Sequence, residues 1–217
     1  MSKTDSHSAS AVAAFSDGTP VLVHDAADRE GEVDLVYPAT AVEPADVRRM
    51  RTDAGGLVCV ALGADVCDAF DLPLLGDALD HPAADSGHLG YDERSSFSLP
   101  VNHRDTYTGI TDADRARTIT ELGRAADAFE QVEFAAEFRA PGHVPVLREA
   151  EGGLDDRRGH TEFAVALARA AGRSPAAVVC EMLSDDDGAC SPDEARAYAE
   201  RHGFVYAEGE DLLEELA

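Results

Sequence analysis

Residues 141–161 read PGHVPVLREAEGGLDDRRGHT and lead directly into the segment EFAVALARAA. The alanines, valine and leucine of that segment recur with helical spacing, which predicts a helix from His160 to Ala171. Arg157, Arg158 and Gly159 therefore lie where a loop becomes a helix N-terminus. The first turn of a helix has unpaired N–H groups and a partial positive charge, which favour an anion. Two adjacent arginines are unusual in a chain whose formal net charge is −25. Their position at a helix start indicates a phosphate site.

The same stretch has a purely structural alternative. The two arginines can pair with the neighbouring acids, which are Asp155, Asp156 and Glu162. His160 can equally be a residue of the first helical turn that binds no ligand. The sequence of this stretch leaves both interpretations open.

The charge of the chain is strongly acidic. Asp and Glu number 43, Lys and Arg together 18, and Lys3 is the single lysine. Nucleic acids and anionic membranes both require clustered positive charge, so neither is expected as a partner. The scattered acids suit either a surface adapted to concentrated salt or an ordinary acidic cytosolic protein. No apolar run reaches the length of a membrane span and the N-terminus lacks a signal core, so a cytoplasmic location is expected.

Length and composition predict one domain over residues 1–217, with residues 1–10 as a mobile tail. The four cysteines form no CxxC pair, which argues against a cysteine zinc site and favours free thiols. Lys3 lies in the predicted tail, so an active-site Schiff base has no candidate. Chemistry next to a carbonyl would need a metal or an acid–base pair.

An acidic loop separates two predicted strands, PVLVH at 20–24 and VDLVY at 33–37. Glu30, Glu32 and Asp34 alternate, so on an extended chain they project to the same side. Such a row of carboxylates repels itself unless a cation or Arg29 lies among them, and hard cations such as Mg²⁺ prefer oxygen ligands. The alternative is a solvated hairpin turn.

A second acid, Glu181, interrupts the apolar run AAVVCEML, which predicts a strand at 176–183. A buried carboxylate is costly unless it is paired or shares a proton, which makes Glu181 a candidate functional residue. The alternative is an acid at a strand end in solvent. Further strands are predicted at 57–62, 96–101, 133–138 and 204–206. Further helices are predicted near 8–15, 44–54, 65–70 and 112–128, and at the C-terminus near 191 and 211–216.

Four segments together carry a resemblance to a known family. They are DREGEVDLVYPA, YTGITDADRART, PGHVPVLREAEGGLDDRRGHTEFAVALARAAG and VVCEMLSDDDG. In this order and at these separations they resemble the 3,4-dihydroxy-2-butanone 4-phosphate (DHBP) synthases of riboflavin biosynthesis. The resemblance implies an α/β (α+β) fold, a single-domain three-layer α/β/α sandwich with a mixed sheet of DHBP synthase/YrdC-like shape. It also implies a homodimer, with active sites near the interface, that converts D-ribulose 5-phosphate to L-3,4-dihydroxy-2-butanone 4-phosphate and formate.

The resemblance also implies roles for individual residues. Glu30 and His160 would bind Mg²⁺ or Mn²⁺, as two ions per active site, and the ions would assist enolisation without a lysine. His143, Glu181, Glu30 and Asp34 would be catalytic. Arg29 and Glu32 would contact the sugar. The residues implied to lie at the phosphate are Thr108, Thr111, Arg157, Arg158, Gly159 and Thr161.

Two departures from the family pattern bear on these expectations. Many members read RENEGD where this chain reads REGEVD at 29–34, which affects the expectation for Glu32 more than that for Glu30. The chain has no room after Ala217 for a fused GTP cyclohydrolase II half, so a monofunctional protein is expected. Two alternatives from other classes are a YrdC-like module that binds a nucleotide or RNA phosphate, and an inactive relative kept as a structural dimer.

Overall fold

The computed structural model of the chain describes residues 11–25, 31–84, 92 and 94–216. Its described part contains a seven-stranded sheet in the order β4-β5-β3-β6-β2-β1-β7. The strands are β1 (Val21–His24), β2 (Val33–Pro38), β3 (Cys59–Leu62), β4 (Phe97–His103), β5 (Phe138–Arg148), β6 (Ala176–Glu181) and β7 (Val205–Glu208). The pairs β1–β7 and β3–β5 are parallel and the other four are antiparallel, so the sheet is mixed.

The helices cover both faces of this sheet. They are α1 (residues 11–16), α2 (Pro44–Asp53), α3 (Ala64–Ala69), α4 (Leu75–Ala78), α5 (Asp112–Asp127), α6 (Phe134–Glu137), α7 (His160–Ala170), α8 (Pro192–His202) and α9 (Gly209–Leu216). In the part of the chain that the structure describes, no helix combines the length and the apolar character that a membrane span requires.

Alternation along the strands divides the core into two layers. Leu35, Val60 and Val178 project to one face, where they pack with apolar residues of α2, α3, α5 and α8. Val36 and Val179 project to the other face, where they pack with α1, α7 and α9. Since successive strand residues point to opposite sides, a strand buried on both faces needs the continuous apolar runs seen in the sequence. The predicted three-layer α/β/α sandwich with a mixed sheet is confirmed.

The predicted strand at 133–138 was wrong. Residues Phe134–Glu137 form the one-turn helix α6, and the strand β5 begins at Phe138 and continues to Arg148. The ring of Phe134 stacks on Phe70 at 4.8 Å and on Phe138 at 4.7 Å between centroids, and this packing accompanies the helical turn. The glycine and prolines of PGHVPVLR are typical of a loop. They are accommodated in β5 because the pairing of β5 with β4 contains register shifts.

Candidate active site

Two acids predicted from separate parts of the sequence lie side by side on neighbouring strands of the sheet. Asp34 of β2 pairs in register with Glu181 of β6. Because side chains alternate along a strand, both lie on the sheet face that carries Val36, Val179 and α7. Asp34 is buried, and Glu181 is half-buried as the last residue of its strand. Glu181 therefore ends its strand, as one interpretation predicted. It also lies beside a second carboxylate, as expected of a functional acid.

The helix α7 begins at His160, as the sequence predicted, and its first turn meets β2. His160 is buried, and its Nδ1 atom lies 3.7 Å from Oδ1 of Asp34. Thr161, the next residue of the helix, is also buried. A carboxylate from an early strand and an imidazole from a later helix start are therefore neighbours in the folded chain.

Arg157, just before this helix, is held between two carboxylates. Its Nη1 donates to Oε2 of Glu162 at 2.6 Å, and its Nε donates to Oδ2 of Asp92 at 2.6 Å. Burial alone would lower the pKa of Arg157, but the charges of Glu162 and Asp92 outweigh it and raise that pKa. The structural alternative, in which Arg157 pairs with Glu162, is confirmed as a contact. Arg158 is exposed.

Glu162 organises the loop that precedes α7. Its side chain is fully buried, and it accepts hydrogen bonds from the N–H groups of Ala150 at 3.0 Å and Gly159 at 3.3 Å. One carboxylate thus ties both ends of the loop 150–159 and the guanidinium of Arg157. This places Glu162 in a positioning role, since its oxygens are occupied by the protein.

These groups border an open cleft of about 220 Å³ on the α7 side of the sheet. The charged residues of the wall are four carboxylates and two arginines, together with His160, so the wall has an excess of negative charge. The residues that line the cleft are Glu32, Asp34, Leu57, Cys59, Asp92, Arg94, Ser95, Ser96, Phe97, Leu147, Arg157, His160, Thr161, Val179 and Glu181.

Cys59 borders the cleft but is a buried residue of the core. Burial raises the pKa of its thiol to about 12, and the nearby charge of Asp34 adds to the effect. The thiol is therefore neutral near pH 7 and is a poor nucleophile.

Two predicted residues, His143 and Thr108, lie outside the cleft lining together with Asn102, Gly109 and Asp114, and we call these five residues the His143 cluster. The buried Asn102 accepts from the N–H of His143 at 2.8 Å, and its Nδ2 lies 3.1 Å from Nδ1 of His143. Gly109, at φ +87°, packs so closely on Asn102 that an added Cβ would lie 2.0 Å from Nδ2. Asp114 accepts from the N–H groups of Thr108 and Gly109.

The predicted site residues thus fall into two groups. Glu32, Asp34, Arg157, His160, Thr161 and Glu181 line the cleft, and Gly159 is the residue before α7. His143, Thr108 and Thr111 do not belong to the described lining of the cleft, and all three are exposed. Arg29 and Glu30 lie outside the described residues.

Sequence reasoning missed Asp92, Arg94 and Asn102. The first two lie in a polar stretch without periodicity, and Asn102 lies within a strand, so no pattern distinguished them. Within the described ranges, no three His, Cys, Asp or Glu side chains are grouped closely enough to hold a metal ion. The donor types still fit a hard cation, because the cleft presents carboxylate oxygens and one imidazole.

Comparison with known proteins agrees with this architecture. The profile of the family described as 3,4-dihydroxy-2-butanone 4-phosphate synthase matches residues 9–215. The 3,4-dihydroxy-2-butanone 4-phosphate synthase of Methanosarcina mazei is 47% identical over 218 residues, which cover 94% of this chain and 88% of that protein. The chain belongs to the DHBP synthase family.

Two solved structures of DHBP synthases share the fold. One, in complex with two magnesium ions, aligns with a TM-score of 0.79 and 32% identity, over 93% of this chain and 92% of its own. A two-domain member from A. baumannii aligns with a TM-score of 0.80 and 33% identity. That alignment covers 97% of this chain and 56% of the two-domain chain. The activity of the family is the formation of DHBP, a lyase reaction that serves riboflavin biosynthesis.

Proposed function

We propose that the chain is a lyase that converts D-ribulose 5-phosphate to L-3,4-dihydroxy-2-butanone 4-phosphate and formate in the cytoplasm. The observation that carries the proposal is the meeting of Asp34, His160 and Glu181 at one acid-rich cleft. Family membership gives the reaction, and the cleft supplies the types of side chain that the reaction requires. Free, buried cysteines are in keeping with a reducing compartment.

Mg²⁺ is the proposed cofactor, as two ions per active site, with Mn²⁺ as a substitute and with Glu30 and His160 as protein ligands. The excess of carboxylates over arginines in the cleft wall supports a divalent cation. A solved relative described as a complex with two magnesium ions supports the number. When bound, the metal supplies a Lewis acid that polarises carbonyl and hydroxyl oxygens.

Asp34 and Glu181 are the proposed proton carriers on the protein. Their register across β2 and β6 presents two carboxylates to one bound sugar, so one can accept a proton from carbon while the other exchanges a proton with an oxygen. Glu30 shares this catalytic role, and Arg29 and Glu32 contact the sugar. Overall, one pentulose phosphate gives a four-carbon phosphate and formate, and the water lost in the dehydration returns on release of formate.

The phosphate of the substrate is proposed to bind at the first turn of α7. Gly159 precedes the helix and Thr161 lines the cleft. The partial positive charge of a helix N-terminus favours a phosphate there. Arg157 and Arg158 add positive charge on the protein side of this turn.

We propose that the protein is a homodimer in which a second copy completes each site. His143, Thr108 and Thr111 are predicted to act on the substrate, yet they are exposed and lie outside the cleft lining. Tyr107 is 95% exposed and Ile110 is 51% exposed beside them, which is the apolar surface that an interface would cover. In this arrangement the His143 cluster of one copy faces the cleft of the other.

The proposal is tested by incubating the purified chain with D-ribulose 5-phosphate and measuring formate over a range of salt concentrations. We expect formate with Mg²⁺, none with EDTA, and recovery when excess Mg²⁺ is restored. Glu181→Gln is the matched inactive control, since it keeps the size of the side chain. Absence of formate from the wild-type chain at every salt concentration tested with Mg²⁺ would contradict the proposed function.

A further inference from the structure

Asn102 is the single asparagine of the chain, and its amide contacts His143 at two points. The side-chain oxygen Oδ1 accepts from the backbone N–H of His143 at 2.8 Å. The side-chain nitrogen Nδ2 lies 3.1 Å from Nδ1 of the imidazole. Asn102 is fully buried whereas His143 is exposed, so a fixed group holds one nitrogen of a ring that is open to solvent.

The two strands and a nearby turn hold this amide in place. The register pairs Val101 with Val144 and Asn102 with Arg139, so residues 140–143 bulge between two consecutive residues of β4. Oδ1 of Asn102 accepts the N–H that His143 would otherwise offer to a strand. Gly109 packs against the same amide, since a Cβ added there would lie 2.0 Å from Nδ2 and 2.5 Å from Oδ1. The amide therefore has little room to rotate.

The orientation of the amide fixes where the imidazole carries its proton. Because a backbone N–H can only donate, the amide atom that faces it must be the oxygen. The amide nitrogen then faces the ring, and since it is a donor, Nδ1 of His143 must be the acceptor and carries no proton. The proton of the neutral ring therefore lies on Nε2, the nitrogen that does not contact Asn102.

A carboxylate at position 102 would reverse this arrangement. Asp and Glu occupy 43 positions of the chain, and an ionised carboxylate would accept from the backbone N–H as well as the amide does. It would also accept from the ring, which would draw the proton to Nδ1 and leave Nε2 as a bare acceptor. An amide satisfies the backbone N–H and donates to Nδ1 at once, which an ionised carboxylate cannot do.

We infer that Asn102 is a positioning residue that holds His143 in the Nε2–H tautomer, so that His143 presents a hydrogen-bond donor to an oxygen of the sugar phosphate. The inference rests on the proposed function and the proposed dimer, because the His143 cluster reaches the substrate only in the cleft of a second copy. A neutral imidazole can polarise an oxygen through its N–H and keep its proton. Such a contact strengthens as negative charge develops on that oxygen, so it accelerates the reaction.

The first test reads the tautomer directly and needs no activity. The ring nitrogens are observed by ¹⁵N NMR of the histidine-labelled chain, about two pH units above the ordinary pKa of histidine. The signals of His143 are those that His143→Gln lacks. We expect the proton on Nε2 in the wild type and on Nδ1 in Asn102→Asp, which has nearly the same shape and keeps an acceptor for the backbone N–H. A wild-type ring with its proton on Nδ1 would overturn the inference.

The second test is steady-state kinetics with D-ribulose 5-phosphate and Mg²⁺. Asn102→Asp replaces the donor at Nε2 of His143 by an acceptor. We expect kcat to fall about 10²- to 10³-fold, the usual result of losing one donor to a developing negative charge, with KM within about threefold of the wild type. The unfolding midpoint of the variant reports whether its fold is intact.

The matched control is Gln131→Glu. It makes the same change from amide to carboxylate at an exposed residue outside the cleft lining and the His143 cluster. This control should leave both kcat and KM unchanged. Equal losses of kcat in Gln131→Glu and Asn102→Asp would show that added negative charge is responsible, and the role of Asn102 would be refuted.

His143→Gln examines the donor itself and leaves Asn102 in place. The N–H of a glutamine amide can reach about the position of the imidazole Nε2, so this variant keeps a donor but has no basic nitrogen. Its kcat should stay within about tenfold of the wild type, whereas His143→Ala should lose the full contribution of the ring. Equal losses in the two variants would overturn the inference, and this comparison remains decisive should Asn102→Asp fail to fold.

The tests separate failure of the inference from failure of the proposed function. A wild type that releases no formate, but whose His143 tautomer reverses in Asn102→Asp, would contradict the proposed reaction and leave the assignment of the tautomer standing. An active wild type in which the tautomer reverses while kcat changes by less than about threefold would refute the role of Asn102. So would a large loss of kcat in Asn102→Asp with the proton still on Nε2.

Discussion

The cleft and the His143 cluster are both rigidly built, but they present their functional groups in opposite ways. In the cleft, Asp34 and His160 are buried and border an open space. In the His143 cluster the framework residue Asn102 is buried, whereas His143 and Thr108 are exposed. Because the framework of each is fixed by hydrogen bonds, this difference in exposure is a property of the fold. The cleft can therefore receive a ligand, whereas the His143 cluster can act only on a ligand that another surface holds.

The two regions also differ in charge. The cleft wall has an excess of carboxylates, whereas the exposed residues of the His143 cluster carry an imidazole and a hydroxyl. A second copy that placed its His143 cluster over the cleft would add an imidazole and a hydroxyl, while the one carboxylate of the cluster, Asp114, accepts hydrogen bonds from Thr108 and Gly109. In the proposed dimer the two regions would therefore complement each other chemically.

The sharpest test of this comparison mixes two variants that are each inactive. His143→Ala removes the imidazole of the cluster and Glu181→Gln removes a carboxylate of the cleft. Each alone should lower kcat by about 10²- to 10⁴-fold, the usual contribution of a positioned acid or base. After unfolding and refolding together, the mixture should recover about a quarter of wild-type turnover, since half of the dimers are hybrids with one intact site each.

The matched control mixes Asp34→Asn with Glu181→Gln. Both positions lie in the same cleft of the same chain, so every site in the hybrid retains one substitution and activity should not recover. Hybrid formation is checked by native mass spectrometry. A chain that is monomeric in solution, or hybrids that form without recovery in the first mixture, would contradict the shared site.

The next prediction concerns the contribution of Glu162 to the free energy of unfolding, and its expected effect is smaller than the loss of turnover above. Glu162→Ala leaves Arg157 with one carboxylate and removes the acceptor for two N–H groups. We expect the free energy of unfolding to fall by about 3 to 5 kcal/mol, as for a buried ion pair that loses one partner. Glu162→Gln keeps an acceptor and should lose less. The measurement is urea unfolding monitored by circular dichroism.

The control for this prediction is a surface pair. Glu121 accepts from Arg124 at 2.7 Å on α5, where the arginine is largely exposed. Glu121→Ala should change the free energy of unfolding by no more than about 1 kcal/mol. Comparable losses for Glu162→Ala and Glu121→Ala would mean that Glu162 does not organise the loop before α7.

Much of the fold was predictable from the sequence, because strands buried on both faces leave continuous apolar runs. The runs at β2, β3 and β6 were identified in this way, and the helix start at His160 was located from periodicity. The strand β5 was not, because its glycine and prolines have the composition of a loop. Its pairing with β4 and β3 depends on the tertiary structure, which local composition does not record.

The candidate site was predictable only where chemistry left a local signal. Glu181 stood out because a carboxylate in an apolar strand is costly, and Asp34 stood out because it continues the alternating carboxylates of the acidic loop. Arg94 and Asp92 gave no signal, since a polar segment without periodicity does not reveal which of its side chains turns inward. His143 lies outside the cleft lining because of the position of β5 in the sheet. The order of residues along the chain does not determine that position.

The smallest predicted effect concerns the loop of the His143 cluster. Asp114 accepts from Gly109 N–H at 2.9 Å and from Thr108 N–H at 3.2 Å, and these bonds, that of Gly109 foremost, lower the pKa of its carboxyl from 3.8. A carboxyl whose pKa is lower in the folded state stabilises the fold above its ordinary pKa, and this contribution disappears as the pH falls through the lowered value.

At neutral pH, Asp114→Asn should therefore cost about 0.5 to 1.5 kcal/mol of stability, toward the lower end because solvent screens the group. The difference between wild type and variant should shrink as the pH falls below about 4, as measured by urea unfolding at a series of pH values. Asp105→Asn, which removes an exposed charge paired with Arg117, is the control and should not reproduce this convergence. A gap between wild type and Asp114→Asn that stays constant down to acid pH would show that the side chain holds the loop through its shape and not through its charge.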